Sequence, residues 1–228
     1  MTRTGASQSK TDNRQNVVGA TSRLLPAAIL LWGVYALIGN LLTHSLKRSG
    51  LERWDASVDR SLAAHRSGGW NTLTHYATFA AETSTVIVAG LVIFVLLRVR
   101  LKRWRESLFI AIALIGEVSI FVGTTLVVNR PRPPVPHLDQ APPTSSFPSG
   151  HTAAAVALYG SLAVLAFYAS RRGWLRALAA VLAVLAPVMV AVSRMYRGMH
   201  FPTDVMAGGL LGILWVTITA RVLLARRR

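Results

Sequence analysis

Six apolar runs dominate the chain, over residues 24–46, 77–97, 108–128, 152–169, 174–192 and 205–224. Each is close to the roughly 20 residues an α-helix needs to cross the hydrocarbon of a bilayer. Backbone groups find no water there, so helices are the form these runs must take. The predicted fold is therefore all-α, a polytopic membrane protein with six transmembrane helices over residues 24–228. The first run is too long for a signal-peptide core and has no small-residue cleavage site after it, so it stays as a membrane helix. Residues 1–23 are rich in Ser, Thr, Asn, Gln and Arg and predict a disordered tail. The connection over residues 47–75 is patterned: Leu51, Trp54, Val58 and Leu62 recur at helical spacing, with Glu52, Asp55, Asp59 and Arg60 between them. That pattern predicts a helix lying in the membrane interface.

Composition agrees with the pattern, since 52% of residues are hydrophobic and 15% charged, with a mean hydropathy of +0.43. The formal net charge of +16 does not point to nucleic acid, because the cations lie between apolar runs and form no polar face. They set topology instead. Sixteen Lys and Arg fall in the tail, residues 98–105, residues 171–176 and the C-terminal end, against nine in the alternate connections. Both termini are thus expected in the cytoplasm. There is no cysteine, which excludes disulfides and thiolate metal sites.

Three segments on the expected outer side carry chemistry. Asn129-Arg130-Pro131-Arg132-Pro133-Pro134 follows the third run, where the prolines end the helix and hold two guanidinium groups, suited to phosphate oxygens, near the membrane surface. Phe147-Pro148-Ser149-Gly150-His151-Thr152 opens the fourth run, and a helix start with Gly and Ser offers unpaired N–H groups and a hydroxyl to an anion. An ordinary cap with Ser149 in that role is the plainer alternative. Ser193-Arg194, then His200 and Asp204, join the fifth run to the sixth. On one helical turn the Asp204 carboxylate can accept the Nδ1 proton of His200 and leave Nε2 free.

Taken together these segments resemble the type 2 phosphatidic acid phosphatase family, whose pattern is a Lys, six residues, Arg-Pro, then Pro-Ser-Gly-His, then Ser-Arg, five residues, His, three residues, Asp. Pro148, Ser149, Gly150, His151, Ser193, Arg194, His200 and Asp204 match at every defined position, and Arg132 and Pro133 match the first part. Its Lys position holds Thr125. The resemblance implies a lipid phosphatase with His200 as nucleophile, Asp204 as its support and His151 as general acid and then base. Arg132, Arg194, Ser149 and Gly150 would meet the charge of the phosphoryl group. Arg130 is the expected substitute for the missing lysine. No metal or cofactor is implied. The partners expected are a lipid phosphate or diphosphate, such as an isoprenoid diphosphate or phosphatidic acid, and the bilayer itself; oligomeric state is left open. The active site would face outward.

Glu82 and Glu117 lie inside apolar runs and are read as paired or neutral between helices. His137 and Asp139 read as loop residues, and His44, His65 and His75 as interfacial. Trp54, Trp70, Trp104 and Trp174 sit at run boundaries, where their rings anchor in the headgroup layer. A phosphotransferase using the same phosphohistidine, or a membrane protein with a degenerate site, are the alternative functions.

Overall fold

The computed structural model describes the backbone of residues 4–225 and the side chains of residues 19–225. The tail expected over residues 1–23 lies largely outside the fully described residues. The chain is all-helical among the described residues, in the order α1 (Thr4–Asn40), α2 (Gly50–Ala64), α3 (Gly68–Phe79), α4 (Thr83–Val95), α5 (Trp104–Val127), α6 (Gly150–Ala169), α7 (Gly173–Tyr196) and α8 (Pro202–Leu223). Six stretches are long and apolar enough to cross a membrane: Gly19–Ser45, Thr83–Arg100, Trp104–Val127, Gly150–Ala169, Gly173–Tyr196 and Pro202–Leu223. They correspond one to one with the six apolar runs.

The second run begins later than its hydropathy implies. Residues 77–79 belong to α3, and α4 starts only after Glu82, whose extended backbone (φ −65°, ψ 146°) breaks the helix. The connection before it holds two helices, where the sequence pattern predicts one. Serines cap both: Ser49 Oγ accepts from Glu52 N, and Ser67 Oγ from Trp70 N. Helix α2 is amphipathic in an inverted sense. Its acids Asp55 and Asp59 are buried against the protein, while Leu51 and Trp54 are exposed. An apolar face turned outward fits the interfacial placement predicted for it.

Helix α6 is the centre of the bundle and packs on α5, α7 and α8. The α6–α8 crossing is close because α8 presents Gly208 and Gly212. A Cβ on Gly212 would stand 2.6 Å from Val156 Cβ and 2.9 Å from the Ala153 carbonyl oxygen, and one on Gly208 would strike the Ser149 carbonyl. Small residues four apart let membrane helices approach this nearly, and dispersion replaces the hydrophobic drive that lipid cannot supply. Trp215 of α8 lies buried beside α5, its Nε1 donating to the Ile112 carbonyl at 3.1 Å. Outward residues such as Leu30, Ile87, Leu126 and Val184 are apolar and exposed, as a lipid-facing surface requires.

Short connections lash the outer helices to this centre. Arg66 donates to the carbonyls of Tyr196 and Pro136, and the Ser67 N–H donates to the Tyr196 hydroxyl at 2.9 Å. Ser193 of the third motif donates to the Thr74 carbonyl at 2.6 Å, which fastens α3 to α7. Trp54, Trp70, Trp104 and Trp174 are all exposed near helix ends.

Candidate active site

The three motifs converge where α5 and α7 end and α6 and α8 begin. Here a cavity of about 1090 Å³ runs from a polar head, with His151, Arg194, His200 and Arg132, down an apolar trough between α4, α5 and α6. Ile87, Leu91, Ile115, Val122 and Leu126 line the trough and are also exposed, so it opens sideways between α4 and α5.

His200 sits in the turn between α7 and α8 and is 5% exposed. Its Nδ1 lies 2.7 Å from the Ser146 carbonyl oxygen. A carbonyl can only accept, so Nδ1 carries the proton and Nε2 keeps its lone pair. Asp204, expected to accept that proton, is 3.8 Å away, an ion-pair separation beyond hydrogen-bond range. The reason is local: Asp204 stands in the first turn of α8, where Oδ2 accepts from the Phe201 N–H at 2.9 Å and Oδ1 from Arg130 at 2.5 Å. Burial holds the His200 pKa below the usual histidine range despite the attraction of Asp204, which keeps the ring neutral and nucleophilic.

Arg132 and Arg194 are the only arginines among the described residues lining the cavity. Arg132 donates to the Met199 carbonyl at 2.8 Å and Arg194 to Asp139 Oδ2 at 2.9 Å. Each keeps a buried Nε–H with no acceptor among the described residues. Two such donors beside a nucleophilic imidazole form a site that an anionic oxygen would complete. Gly150 and His151 of the first turn of α6 also line the cavity, where the helix start adds unpaired N–H groups. Gly150 serves packing as well, since a Cβ there would stand 2.7 Å from the Phe121 ring.

Two of the expected phosphate ligands are placed otherwise. The Ser149 side chain is fully buried and shares a hydrogen bond of 3.0 Å with Thr152, so its hydroxyl is committed within α6. Arg130 points away from the cavity: Nη2 donates to Asp55 Oδ2 at 2.8 Å and Nη1 to Asp204 and to Thr203 Oγ1. Its guanidinium also lies 4.5 Å over the Phe201 ring. Two carboxylates hold Arg130, so it does not replace the lysine missing at Thr125, which does line the cavity. Arg197 is likewise engaged, by both oxygens of Asp139 at 2.6 and 2.8 Å.

Asp139 and His75, read from the sequence as loop and interfacial residues, both reach the cavity. Burial works to raise the Asp139 pKa, but its bonds to Arg197 and Arg194 prevail and hold it below the usual carboxylate range. Asp139 thereby aims Arg194. The Ser146 carbonyl left no trace in the pattern of side chains, because its role is played by backbone.

Residues 106–228 match the family model described as PAP2 superfamily. An undecaprenyl-diphosphatase of Sulfolobus acidocaldarius is 33% identical over 109 residues, 48% of each chain. A bacitracin transport permease protein, BcrC, of Bacillus licheniformis is 29% identical over 64% of this chain and 69% of its own. Phosphatidylglycerophosphatase B of Bacillus subtilis is 40% identical over 30% of this chain and 34% of its own. The matched part thus spans about half or less of two of these three curated relatives. The crystal structure of a transmembrane PAP2 type phosphatidylglycerolphosphate phosphatase from Bacillus subtilis superposes with a TM-score of 0.68 at 21% identity, covering 85% of this chain and 92% of that one. The likeness shows a shared transmembrane fold.

Proposed function

The chain belongs to the PAP2 superfamily, and from that premise we propose that it is a membrane lipid phosphatase working through a phosphohistidine on His200. The observation that carries this reading is the held imidazole, with Nδ1 on the Ser146 carbonyl, in one cavity with Arg132, Arg194 and His151. The substrate is a lipid phosphate or diphosphate, of the isoprenoid diphosphate or phosphatidic acid type. The names of two relatives, an undecaprenyl-diphosphatase and a phosphatidylglycerophosphatase, support that class. The apolar trough leading sideways from the polar head supports a substrate whose chain stays in the bilayer.

In the first step His200 Nε2 attacks phosphorus, the bond to the leaving oxygen breaks, and His151 gives that oxygen a proton. The imidazole, still protonated at Nδ1, becomes cationic, and the Asp204 carboxylate at 3.8 Å stabilises it through space. In the second step His151 takes a proton from water as the water attacks phosphorus. The P–N bond breaks and inorganic phosphate leaves. Charge on the equatorial oxygens is met by Arg132, Arg194 and the N–H groups opening α6, donors fixed before the reaction begins. The guanidinium groups carry the charge, and no step calls for a metal.

Phosphate release from a panel of lipid phosphates, by detergent-purified protein with divalent ions chelated, tests the reading. The parent releases phosphate and forms an acid-labile phosphoenzyme, and His200→Ala loses both. Turnover by His200→Ala at the parent's rate would overturn the assignment. The excess of Lys and Arg on the side of the termini supports cytoplasmic termini and an active site on the outer face of the cell membrane. A C-terminal reporter active only outside the cytoplasm would reverse that topology.

A further inference from the structure

Behind His200, away from the cavity, lies a buried ion cluster of which the steps above use Asp204 alone. Asp55 of α2, Arg130 of the Pro-rich segment and Asp204 of α8 are 0%, 6% and 0% exposed. Arg130 bridges the two carboxylates, to Asp55 at 2.8 Å and to Asp204 at 2.5 Å. Asp55 is held in turn by Thr203, whose N–H donates to Oδ1 at 3.1 Å and whose hydroxyl donates to Oδ2 at 2.5 Å. Asp204 Oδ1 faces Arg130 while Oδ2 faces Phe201 N and the His200 ring.

A guanidinium bound to Asp204 creates an electrostatic difficulty. Alone with Asp204 it would cancel the net negative charge, and the pair would attract the imidazolium only through its dipole, more weakly than a carboxylate with net charge. Asp55 removes the difficulty. Two carboxylates and one guanidinium leave one net negative charge, and Arg130 is kept as a clamp. Asp59, one turn along α2 from Asp55, is also buried, with both oxygens unpaired among the described residues. Burial, together with the Asp55 and Asp204 charges, pushes its pKa up to about 8, so at neutral pH it adds no second negative charge.

We propose that Asp55 and Arg130 are positioning residues for the nucleophile: Arg130 clamps Asp204 so that Oδ2 faces His200, and Asp55 holds Arg130 and restores the negative charge that its clamp would cancel. The proposal rests on the phosphohistidine reading, because the charge matters when the His200 ring turns cationic. It makes α2, far along the chain from the motifs, a working part of the site.

The test uses the full-length protein in detergent, with rapid-quench trapping of the phosphoenzyme from a radiolabelled lipid phosphate. Asp55→Asn leaves Arg130 opposite Asp204 with no counter-charge, so phosphoenzyme formation and kcat should fall by about 10- to 100-fold while KM changes by less than about threefold. Asp55→Glu, which keeps the charge, should recover much of the loss. The decisive variant is the double one. Asp55→Asn with Arg130→Gln removes the uncompensated cation and should be several-fold more active than Asp55→Asn alone, whereas a purely structural cluster would lose further on the second substitution. The proposal is overturned if Asp55→Asn keeps the parent's kcat, or if the double variant is no more active than Asp55→Asn. A parent that releases no phosphate from any lipid would instead sink the phosphatase reading, and the two failures are therefore distinct.

Discussion

Thr125 occupies the position where the family pattern has a lysine, and it lines the cavity with its hydroxyl donating to the Val122 carbonyl at 2.9 Å. Neither neighbouring arginine is free to take the lysine's part, since Arg130 and Arg197 are bound by Asp55, Asp204 and Asp139. Thr125→Lys should therefore add a charge-assisted contact to the transferring phosphoryl group, of the kind that contributes about 1.5–3 kcal/mol. The expected outcome is a kcat/KM raised roughly tenfold or more; an unchanged or lower value would show that this site works with two cations by design. Asp59 offers a second test, through pH. Its pKa in the folded protein, about 8 against an ordinary 3.8, means that the native state holds a proton the unfolded chain has released. The contribution of Asp59 to stability is therefore fully present below about pH 4 and is lost as pH rises through about 8. Asp59→Asn should remove that slope, so its unfolding temperature should gain on the parent's between pH 6 and 9. Identical pH profiles would contradict the assignment. These residues also show what the sequence could convey. The gathering of His151, Arg132, Arg194 and His200 at one cavity, with Asp204 beside His200, was legible because the three segments together carry the family pattern. The destination of Arg130 was not, because its partner Asp55 lies 75 positions away on a helix whose pattern spoke only of the membrane.

At the scale of elements, the α6–α8 crossing decides whether the second and third motifs meet. Ser149 N donates to the Asp204 carbonyl at 3.0 Å across that crossing, so the starts of the two helices are tied where His151 and His200 line one cavity. The crossing rests on Gly212 and Gly208, whereas Gly209 meets nothing nearer than Thr152 Cγ2 at 3.9 Å. The same substitution one position after Gly208 and at Gly212 should thus have opposite consequences. Gly209→Ala should be neutral or slightly stabilising, as alanine is in helices. Gly212→Ala should destabilise by about 1–3 kcal/mol, the usual range for overpacking, and lower activity through the displaced α6. Thermal unfolding in detergent compares them directly, and equal tolerance at both positions would refute the packing account. The existence of six spans was legible because bilayer thickness imposes a length on hydrophobic runs. Helix α3 was not, because its hydropathy merges with that of α4 and only the extended backbone at Glu82 separates them. The inward turn of the acids on α2 was equally hidden, since an amphipathic period reports that a helix has two faces and leaves open which of them meets protein.

On the scale of the whole molecule, the bundle divides into an outer lipid-facing surface of exposed Leu, Ile and Val and a polar end cap where the motifs gather, with the cap fastened by α2 and α3. Fold class followed from hydropathy alone, and the orientation proposed for the chain rests on the distribution of cations. Neither source reaches the cavity, whose walls come from helices joined by packing. Its trough opens between α4 and α5 toward the side of the bundle, and that geometry would set how the protein meets the lipid substrate proposed for it. A lipid arriving this way diffuses in two dimensions and never partitions into water, so the quantity that governs encounter is its mole fraction in the bilayer. Diluting the substrate with inert lipid at constant total amount slows such an enzyme, while diluting the vesicles in buffer leaves its initial rate per enzyme nearly untouched.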